Sequence, residues 1–186
     1  EYKADTTIIT PKRKIAITSF KVNNAVAEKR NAGSNLADIM ATELVKSGRF
    51  IVLERNDIDK VLGEINFSKT LGEKRVSEIQ NLLDADFIVT GAITKYTNSI
   101  QGKKGLVSSG KEQRTEITFD FKIIDVRTGE VILADSGEGL SVKEVGTTLG
   151  VGTTSGYDDA VEADALRAAA IDVLEGIIAQ VDKTDW

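Results

Sequence analysis

Apolar residues in the first third of the chain switch from the spacing of a strand to that of a helix and back. Residues 14–22, KIAITSFKV, are rich in Ile, Val, Thr and Phe, which predicts a first strand. Residues 49–55, RFIVLER, predict a second. Between them, residues 36–47 predict a helix, and a strand, a helix and a strand in this order predict a right-handed βαβ unit with parallel strands. The apolar face of the helix consists of Leu36, Ile39, Met40 and Leu44.

Capping residues are predicted at both ends of this helix. Residues 23–33 are polar and predict a loop, after which Ser34 or Asn35 is expected to cap the helix N-terminus. Gly48 follows the last helical position, where a left-handed C-cap is common.

Two short amphipathic helices are predicted next, separated by a polar link at residues 68–74. Asn56 is expected to cap the first of them. Their apolar positions are Ile58, Val61, Leu62 and Ile65 in the first helix, and Val76, Ile79, Leu82 and Leu83 in the second.

The second half of the chain changes to a period of two. Three strands are predicted, at residues 85–96, 117–126 and 131–142. Apolar and polar positions alternate along the first two, and the third is the returning strand. RTGE at residues 127–130 is a glycine-containing turn of hairpin type, so the strands are expected to form an antiparallel meander. The positions that share an apolar face are Phe87, Val89, Gly91 and Ile93 on the first strand, and Ile117, Phe119, Phe121 and Ile123 on the second.

Two polar segments and a long helix complete the pattern. Residues 97–116 predict a long flexible loop, and the Gly/Thr-rich residues 145–156 predict a mobile one. Residues 158–181 predict a C-terminal helix. Its apolar stripe consists of Leu166, Ala170, Val173, Ile177 and Val181.

These elements predict an α/β fold of the α+β sandwich kind. A βαβ unit is followed by an antiparallel three-strand meander, and the C-terminal helix packs on a mixed sheet. We expect residues 1–13 to be a polar N-terminal lead and residues 14–183 to form a single domain. The length of 186 residues, with 41% hydrophobic and 28% charged residues, is typical of a globular protein with an adequate core.

Charge and residue types narrow the range of functions. The net charge of −5 argues against nucleic acid as a main partner, because phosphate neutralisation needs clustered Lys and Arg. The chain has no Cys and no His, which excludes thiol and Ser-His-Asp catalysis and zinc hydrolases. We therefore expect no enzyme, no catalytic residues, no cofactor-binding residues and no metal site. No secretory signal peptide and no apolar run of roughly 20 residues is visible either.

One stretch imitates a phosphate-binding loop. Residues 105–112, GLVSSGKE, have the G-x-x-x-x-G-K spacing, but Glu112 stands where a magnesium-binding Ser or Thr is needed. A phosphate loop also needs a helix after its lysine, and here a strand pattern, RTEITFDF, follows. The interpretation favoured by this context is a flexible hairpin loop without nucleotide.

Acidic residues at the start of the C-terminal helix allow two interpretations. Asp158 and Asp159 could form a metal site with Glu162 and Asp164. Helix N-termini favour acidic residues because of the helix dipole, so capping is the preferred interpretation.

Three segments in this order and spacing resemble one family. They are FIVLER, DFIVTGAITKY and FDFKIIDVRTGEVI, and together they resemble the CsgG family of outer-membrane lipoproteins of curli secretion. The likeness spans residues 14–181. Related periplasmic lipoproteins, including LpoB-type activators of peptidoglycan synthases, share the same α/β plan.

The resemblance implies a mature lipoprotein domain in the periplasm, anchored at the outer membrane through an N-terminal lipidated Cys. This chain has no Cys, so we expect the signal and anchor to lie outside it or never to have existed. The resemblance also implies assembly into a ring in which each subunit contributes two membrane hairpins.

The chain departs from the family at both expected hairpins. They should emerge between Tyr96 and Ile117 and between Val142 and Asp158, yet a membrane strand needs about 9–11 residues with alternating apolar positions. Residues 97–116 contain only Ile100, Leu106 and Val107 as apolar residues. We therefore expect soluble loops in place of membrane hairpins.

The resulting hypothesis is a non-enzymatic periplasmic or outer-membrane-associated lipoprotein domain with a scaffolding or accessory role in secretion or cell-envelope assembly. The alternatives are a subunit of a CsgG-like oligomeric secretion channel and an LpoB-like regulator of peptidoglycan synthesis. The expected partners are proteins of the envelope, with a homo-oligomer as an option and with neither nucleic acid nor nucleotide.

Overall fold

The computed structural model describes residues 11–53, 84–104, 108–148 and 157–184. In chain order the elements are β1 (Arg13–Ile17), β2 (Lys21–Val22), α1 (Ala25–Lys29), α2 (Ala32–Lys46), β3 (Phe50–Val52), β4 (Phe87–Lys104), β5 (Ser108–Asp125), β6 (Val131–Thr148) and α3 (Asp159–Lys183).

The described strands form one mixed sheet of six strands in the order β3-β1-β4-β5-β6, with β2 also pairing with β4. β1 is parallel to both β3 and β4, whereas β4, β5 and β6 form an antiparallel meander. The predicted fold class, with a parallel β-α-β arrangement, a meander and a C-terminal helix on a mixed sheet, is therefore confirmed.

The predicted first strand is broken into two. Between β1 and β2 the chain turns so that Phe20 enters the core, where it is 4% exposed and meets the ring of Phe119 edge-on at 5.3 Å. The break is held by the Thr18 amide, which donates to the Val89 carbonyl at 3.0 Å. Burial of one aromatic side chain thus outweighs the continuity of the strand.

The predicted loop at residues 23–33 instead contains α1 and the start of α2. Asn24 caps α1, and Asn31, in the left-handed conformation at φ 55°, separates the two helices. The predicted cap at Ser34 or Asn35 is wrong, because α2 already begins at Ala32. Gly48 lies just after this helix with φ +72°, which confirms its expected left-handed conformation.

The predicted flexible loop at residues 97–116 is wrong for the part that the structure describes. β4 runs on to Lys104, β5 already begins at Ser108, and β6 continues to Thr148, so that each of the three strands has 18 residues. Lys111 pairs with Gly102 on one side and with Val145 on the other. Backbone pairing forms these strands although their side chains lack apolar alternation.

Several predictions lie outside the described residues. They concern the two short helices between residues 56 and 83, the loop tip at residues 105–107 and the segment at residues 149–156.

α3 lies across β5 and β6 and buries its predicted stripe. A Cβ at Gly139 would lie 1.9 Å from the Ala165 carbonyl oxygen and 2.6 Å from the Ala169 amide nitrogen, so this glycine brings helix and strand backbones together. Gly137 leaves room for Phe119 and Val173 in the same way. The stripe residues Leu166, Ala170, Val173, Ile177 and Val181 are all buried, as are the predicted inward side chains Phe87, Val89, Ile93, Ile117, Phe119, Phe121 and Ile123.

The sheet extends beyond the start of α3. Ile100, Gln113 and Lys143 form one cross-strand row, and α3 begins over this row and runs from it toward Gly137. We call the strand ends past that row the ribbon: residues 101–104, 108–112 and 144–148. None of the helices in the described ranges is long and apolar enough to cross a membrane.

Candidate functional site

Polar side chains concentrate where α3 begins, at the meeting point of the α1–α2 turn, the β4–β5 pair and the first turn of the helix. We call this region the junction. It is formed by Arg30, Tyr96, Gln113, Asp158 and Glu162, together with Tyr157 and Asp159 next to them.

The turn between α1 and α2 positions Arg30. The Asn24 side chain accepts hydrogen bonds from the amides of Val26 and Ala27 at 2.9 and 3.1 Å, which fixes the start of α1. At the other end, the Asn35 side-chain amide donates to the Arg30 carbonyl at 3.1 Å. The Arg30 side chain is thereby directed toward α3 by a turn that is hydrogen-bonded on both sides.

Arg30 connects this turn to the first turn of α3. Its Nε donates to Glu162 and one of its terminal nitrogens donates to Asp159. The guanidinium carbon also lies 3.8 Å from the centre of the Tyr157 ring, which is a cation–π contact. Burial opposes the charge, but the hydrogen bonds to the two carboxylates outweigh it and hold the pKa of Arg30 above its ordinary value.

Glu162 is the buried carboxylate of the junction, with 4% of its surface exposed. The Tyr157 hydroxyl donates to its Oε2 at 2.7 Å, and Arg30 donates to the same oxygen. Burial, followed by the hydrogen bond with Glu162, raises the pKa of Tyr157 well above its usual range, so its phenol stays neutral. A buried carboxylate needs such partners, because desolvating an unpaired charge is expensive.

Gln113 fixes the helix start to the sheet. Its Nε2 donates to the Asp158 carbonyl at 2.9 Å, and its Oε1 accepts from the Asp158 amide at 2.8 Å. The Asp158 side chain accepts from the Ala160 amide at 2.9 Å and from Lys143 on β6. The Lys143 hydrogen bond, then the Ala160 amide, lowers the pKa of Asp158 below its ordinary value.

A cavity of about 480 Å³ opens beside the junction, between α2 and α3. Its walls include the basic Lys29 and Arg30 and the acidic Asp38, Asp159 and Glu162. Asp159 and Glu162 are held by Arg30, and the described walls do not place a nucleophile beside a base. The arrangement can position helices against the sheet.

The acidic residues considered as a metal site have different roles in the fold. Asp158 caps α3, which confirms the capping interpretation for this residue, while Asp159 and Glu162 contact Arg30 and Asp164 is exposed. Across the described ranges, no group of three or more acidic side chains is arranged to hold a metal ion.

The stretch that imitates a phosphate loop does not form one in its described part. Lys111 and Glu112 are strand residues of β5, opposite Gly102 and Gln101. The prediction that a strand follows the lysine is confirmed, and the helix N-terminus that would hold phosphate is absent at this position.

Sequence reasoning missed Arg30 and Gln113, since both fall in segments predicted to be loops. A signal for Gln113 was present, because Gln113 and Thr115 continue the inward alternation of Ile117 and Phe119 toward the N-terminus. No comparable signal marks Arg30, whose partners lie about 130 residues further along the chain.

The sequence is similar to those of known proteins over most of its length. The family described as curli production assembly/transport component CsgG matches residues 4–186. A protein of Neisseria meningitidis serogroup B that is named as a candidate lipoprotein is 29% identical over 160 residues, which are 83% of this chain and 67% of that protein.

Two solved structures share the fold. A hypothetical protein of Chlamydia trachomatis has a TM-score of 0.54 at 13% identity, covering 92% of this chain and 96% of its own. A protein of Xanthomonas campestris has a TM-score of 0.53 at 8% identity, covering 93% of this chain and 88% of its own. At these identities the likeness concerns the fold alone.

Proposed function

Because this chain belongs to the CsgG family, we propose that it is a domain of an envelope-associated lipoprotein with a non-enzymatic, scaffolding or accessory role in secretion or cell-envelope assembly. The observation that carries the proposal is the family match, which spans residues 4–186 and so includes every described element. The similarity to a candidate lipoprotein over 83% of the chain supports the lipoprotein assignment. We place the protein in the periplasm, anchored at the outer membrane.

The junction supports a role in positioning. Arg30, Gln113 and Lys143 each use their polar atoms to hold the start of α3. Gln113 in particular is buried and commits both its Nε2 and its Oε1 to the Asp158 backbone. We therefore propose that the protein acts through its surface, on other proteins of the envelope.

The ribbon is the part of that surface that we propose for such contacts. It projects past the described start of α3 and keeps its three-stranded backbone pairing there, for example at Gly102, Lys111 and Val145. A paired ribbon is a firmer contact element than a flexible loop, because less conformational entropy is lost on binding.

The envelope assignment is tested by fractionating cells that express the full-length protein at its natural level. We expect it in the membrane fraction and, after labelling with radioactive palmitate, to carry label. Recovery in the cytosolic fraction without label would contradict the proposal.

A second candidate, a subunit of an oligomeric secretion channel, is favoured by one observation. The β4–β5 hairpin extends where a soluble loop was expected, at the place where the resemblance puts a membrane hairpin. Against it, the ribbon sequences QGKK and SSGKE of residues 101–104 and 108–112 contain no large apolar residue, and a spanning strand needs about 9–11 residues.

The two candidates differ in two measurements on the full-length, lipidated protein. Discrete conductance steps in a planar bilayer would support the channel, and their absence supports the accessory role. Sedimentation across a concentration range gives the assembly state: a ring-sized oligomer favours the channel, a monomer the accessory domain. The LpoB-like regulator stays a prediction.

A further inference from the structure

We propose that β6, next to the ribbon, binds an extended segment of another envelope protein as an added strand. The segment that fits carries two apolar residues, two positions apart, with a Lys or Arg beyond each of them. The binding surface, which we call the open edge, consists of Leu140 and Val142 with Glu138 and Glu144 at its ends. This inference rests on the proposed contact role and names the kind of partner.

The backbone of the open edge points away from the sheet. β6 pairs with β5 on one side, and within the described ranges no strand pairs with it on the other. The Glu138 amide points to that other side, since it donates to the Asp172 carboxylate at 3.0 Å. The register of β5 with β6 is unbroken from Ser108 to Ile123, so every second residue of β6 points the same way. Leu140 and Val142 therefore each direct an N–H and a C=O outward.

α3 protects only one part of this edge. Its Asp172 covers the Glu138 amide, but one turn earlier the helix carries Ala168, whose side chain has no acceptor atom. Among the described residues, the outward groups of Leu140 and Val142 accordingly have no protein partner and face solvent. Such groups on an edge strand are what an added β-strand binds.

The side chains of the open edge are apolar. Leu140 is 48% and Val142 is 46% exposed, and both project from the face opposite α3, because Gly139 between them and the core faces the helix. A strand paired with them would place its own alternate side chains on the same face, about 5 Å away. Two apolar residues at those positions would remove the exposed apolar surface from water.

Acidic side chains outnumber basic ones around the open edge. Four cross-strand rows, from Glu112–Glu144 to Thr118–Glu138, make up this part of the outer face. Its charged residues are Glu112, Glu116, Glu138 and Glu144, against Lys95 and Arg114. Lys95 already pairs with Glu116. Opposite charges on paired strands attract, so a strand with Lys or Arg opposite Glu138 and Glu144 fits best.

A second copy of this chain fits the open edge less well. An antiparallel pairing that sets Leu140 of one copy against Val142 of the other also sets Glu138 against Glu144. Like charges directly opposite each other destabilise paired strands. The charges therefore favour a different protein as the occupant.

The probe is a synthetic peptide with blocked ends and the sequence TKTVTITKT, titrated into the full chain while NMR follows the backbone amide signals. We expect the signals of Leu140 and Val142 to shift, and we expect the acidic peptide TETVTITET to bind about tenfold more weakly. Equal affinities for the two peptides would overturn the proposal. So would unchanged signals at these residues with peptide up to about 1 mM, the weak end of specific binding.

A variant and a modified peptide separate charge from backbone pairing. The double variant Glu138→Lys with Glu144→Lys should reverse the preference and bind TETVTITET about tenfold more tightly than TKTVTITKT. The basic peptide with a methyl group on the backbone nitrogen of its Ile keeps every side chain but lacks one N–H, and it should bind at least about tenfold more weakly. Undiminished binding of the methylated peptide would show that no strand is added.

Sedimentation of the chain with and without the basic peptide tests the second copy as occupant. We expect the peptide to leave the assembly state unchanged. A dimer that the peptide dissociates would assign the open edge to a second copy and would overturn the proposal. Any of these failures would leave the fractionation and palmitate experiments, which test the envelope assignment, unaffected.

Discussion

Single residues decide how closely α3 approaches the sheet. Gly139 on β6 faces the backbone of Ala165 and Ala169, and no side chain larger than hydrogen fits between them. Both helix residues are alanines without exposed surface, so the small side chains of helix and strand match each other.

Gly139→Ala is expected to destabilise the protein by about 3 kcal/mol, because its Cβ would meet helix backbone that cannot move aside as a side chain can. Gly102→Ala is the matched control, since nothing lies within 4 Å of the place that its added Cβ would occupy. Urea unfolding of both variants measures the difference. Equal stabilities would show that the helix can shift at little cost.

Arg30 and Arg49 both form ion pairs with α3, and these pairs differ in burial. Arg30 pairs with Glu162, whose side chain is 5% exposed, whereas Arg49 and its partner Asp182 are each 47% exposed. Arg30→Met would leave a buried carboxylate with fewer partners, and we expect a loss of about 3 kcal/mol in unfolding free energy. Arg49→Met should cost less than about 1 kcal/mol.

The measurement is chemical denaturation of both variants at neutral pH. An Arg30→Met protein as stable as Arg49→Met would contradict the assignment of Arg30 as the main connection between the α1–α2 turn and α3.

At the scale of elements, β6 is an edge of the described sheet, and part of this edge is covered. The Asp172 carboxylate on α3 accepts from the outward amide of Glu138 at 3.0 Å, and Asp135 accepts from the amide of Ser136 at 2.9 Å. Unpaired amides on an edge strand can pair with other chains, whereas amides that already donate to a carboxylate cannot.

Asp172→Ala is expected to uncover the Glu138 amide and to increase self-association, together with a loss of about 1 kcal/mol in stability. Light scattering over a concentration series detects the association. Glu175→Ala, an exposed acid one turn further along α3, is the control and should leave scattering unchanged. Asp172→Asn keeps an acceptor and should behave like the original protein.

Elements with an apolar face were predictable from the sequence, whereas elements held by backbone hydrogen bonds alone were not. The stripe from Leu166 to Val181 located α3 because one face of it is buried. The ribbon residues of β4 and β5 were not predicted as strands, because paired strands with two polar faces have the amino-acid composition of a loop. The junction was not predicted either, because only the tertiary fold brings Arg30 and Gln113 close to their partners on α3.

At the scale of the whole molecule, acid should weaken the fold. The pKa of Glu43 is lowered by its hydrogen bond with Lys46 and also by Arg167 on α3, that of Glu116 by Lys95, and that of Asp158 by Lys143. A carboxylate with a depressed folded pKa contributes stability that is present above its unfolded pKa and is lost as pH falls through the folded pKa. The ordinary values of 4.5 for Glu and 3.8 for Asp mark where the loss begins.

We therefore expect the unfolding free energy to be nearly constant from pH 7 to about 5 and to fall below that. Urea midpoints at pH 7, 5, 4 and 3 measure the decline. Glu43→Gln should flatten it, because this buried residue joins α2 to α3, whereas the exposed Glu28→Gln should not. If the unfolding free energies of Glu43→Gln and the original protein declined equally as the pH falls, Glu43 would not be a source of the acid sensitivity.

The sheet order also fixes a sequence of events during synthesis. β1 lies between β3 and β4, and its register partner for Ile15 on β4 is Phe87, 72 residues later in the chain. The meander, by contrast, joins neighbours in sequence through short connections, and local pairings form fastest. On a ribosome or a translocon, which deliver the chain N-terminus first, β1 must wait for β4 before it becomes an inner strand. We expect newly made chains to be most vulnerable to proteases and to self-association during that interval.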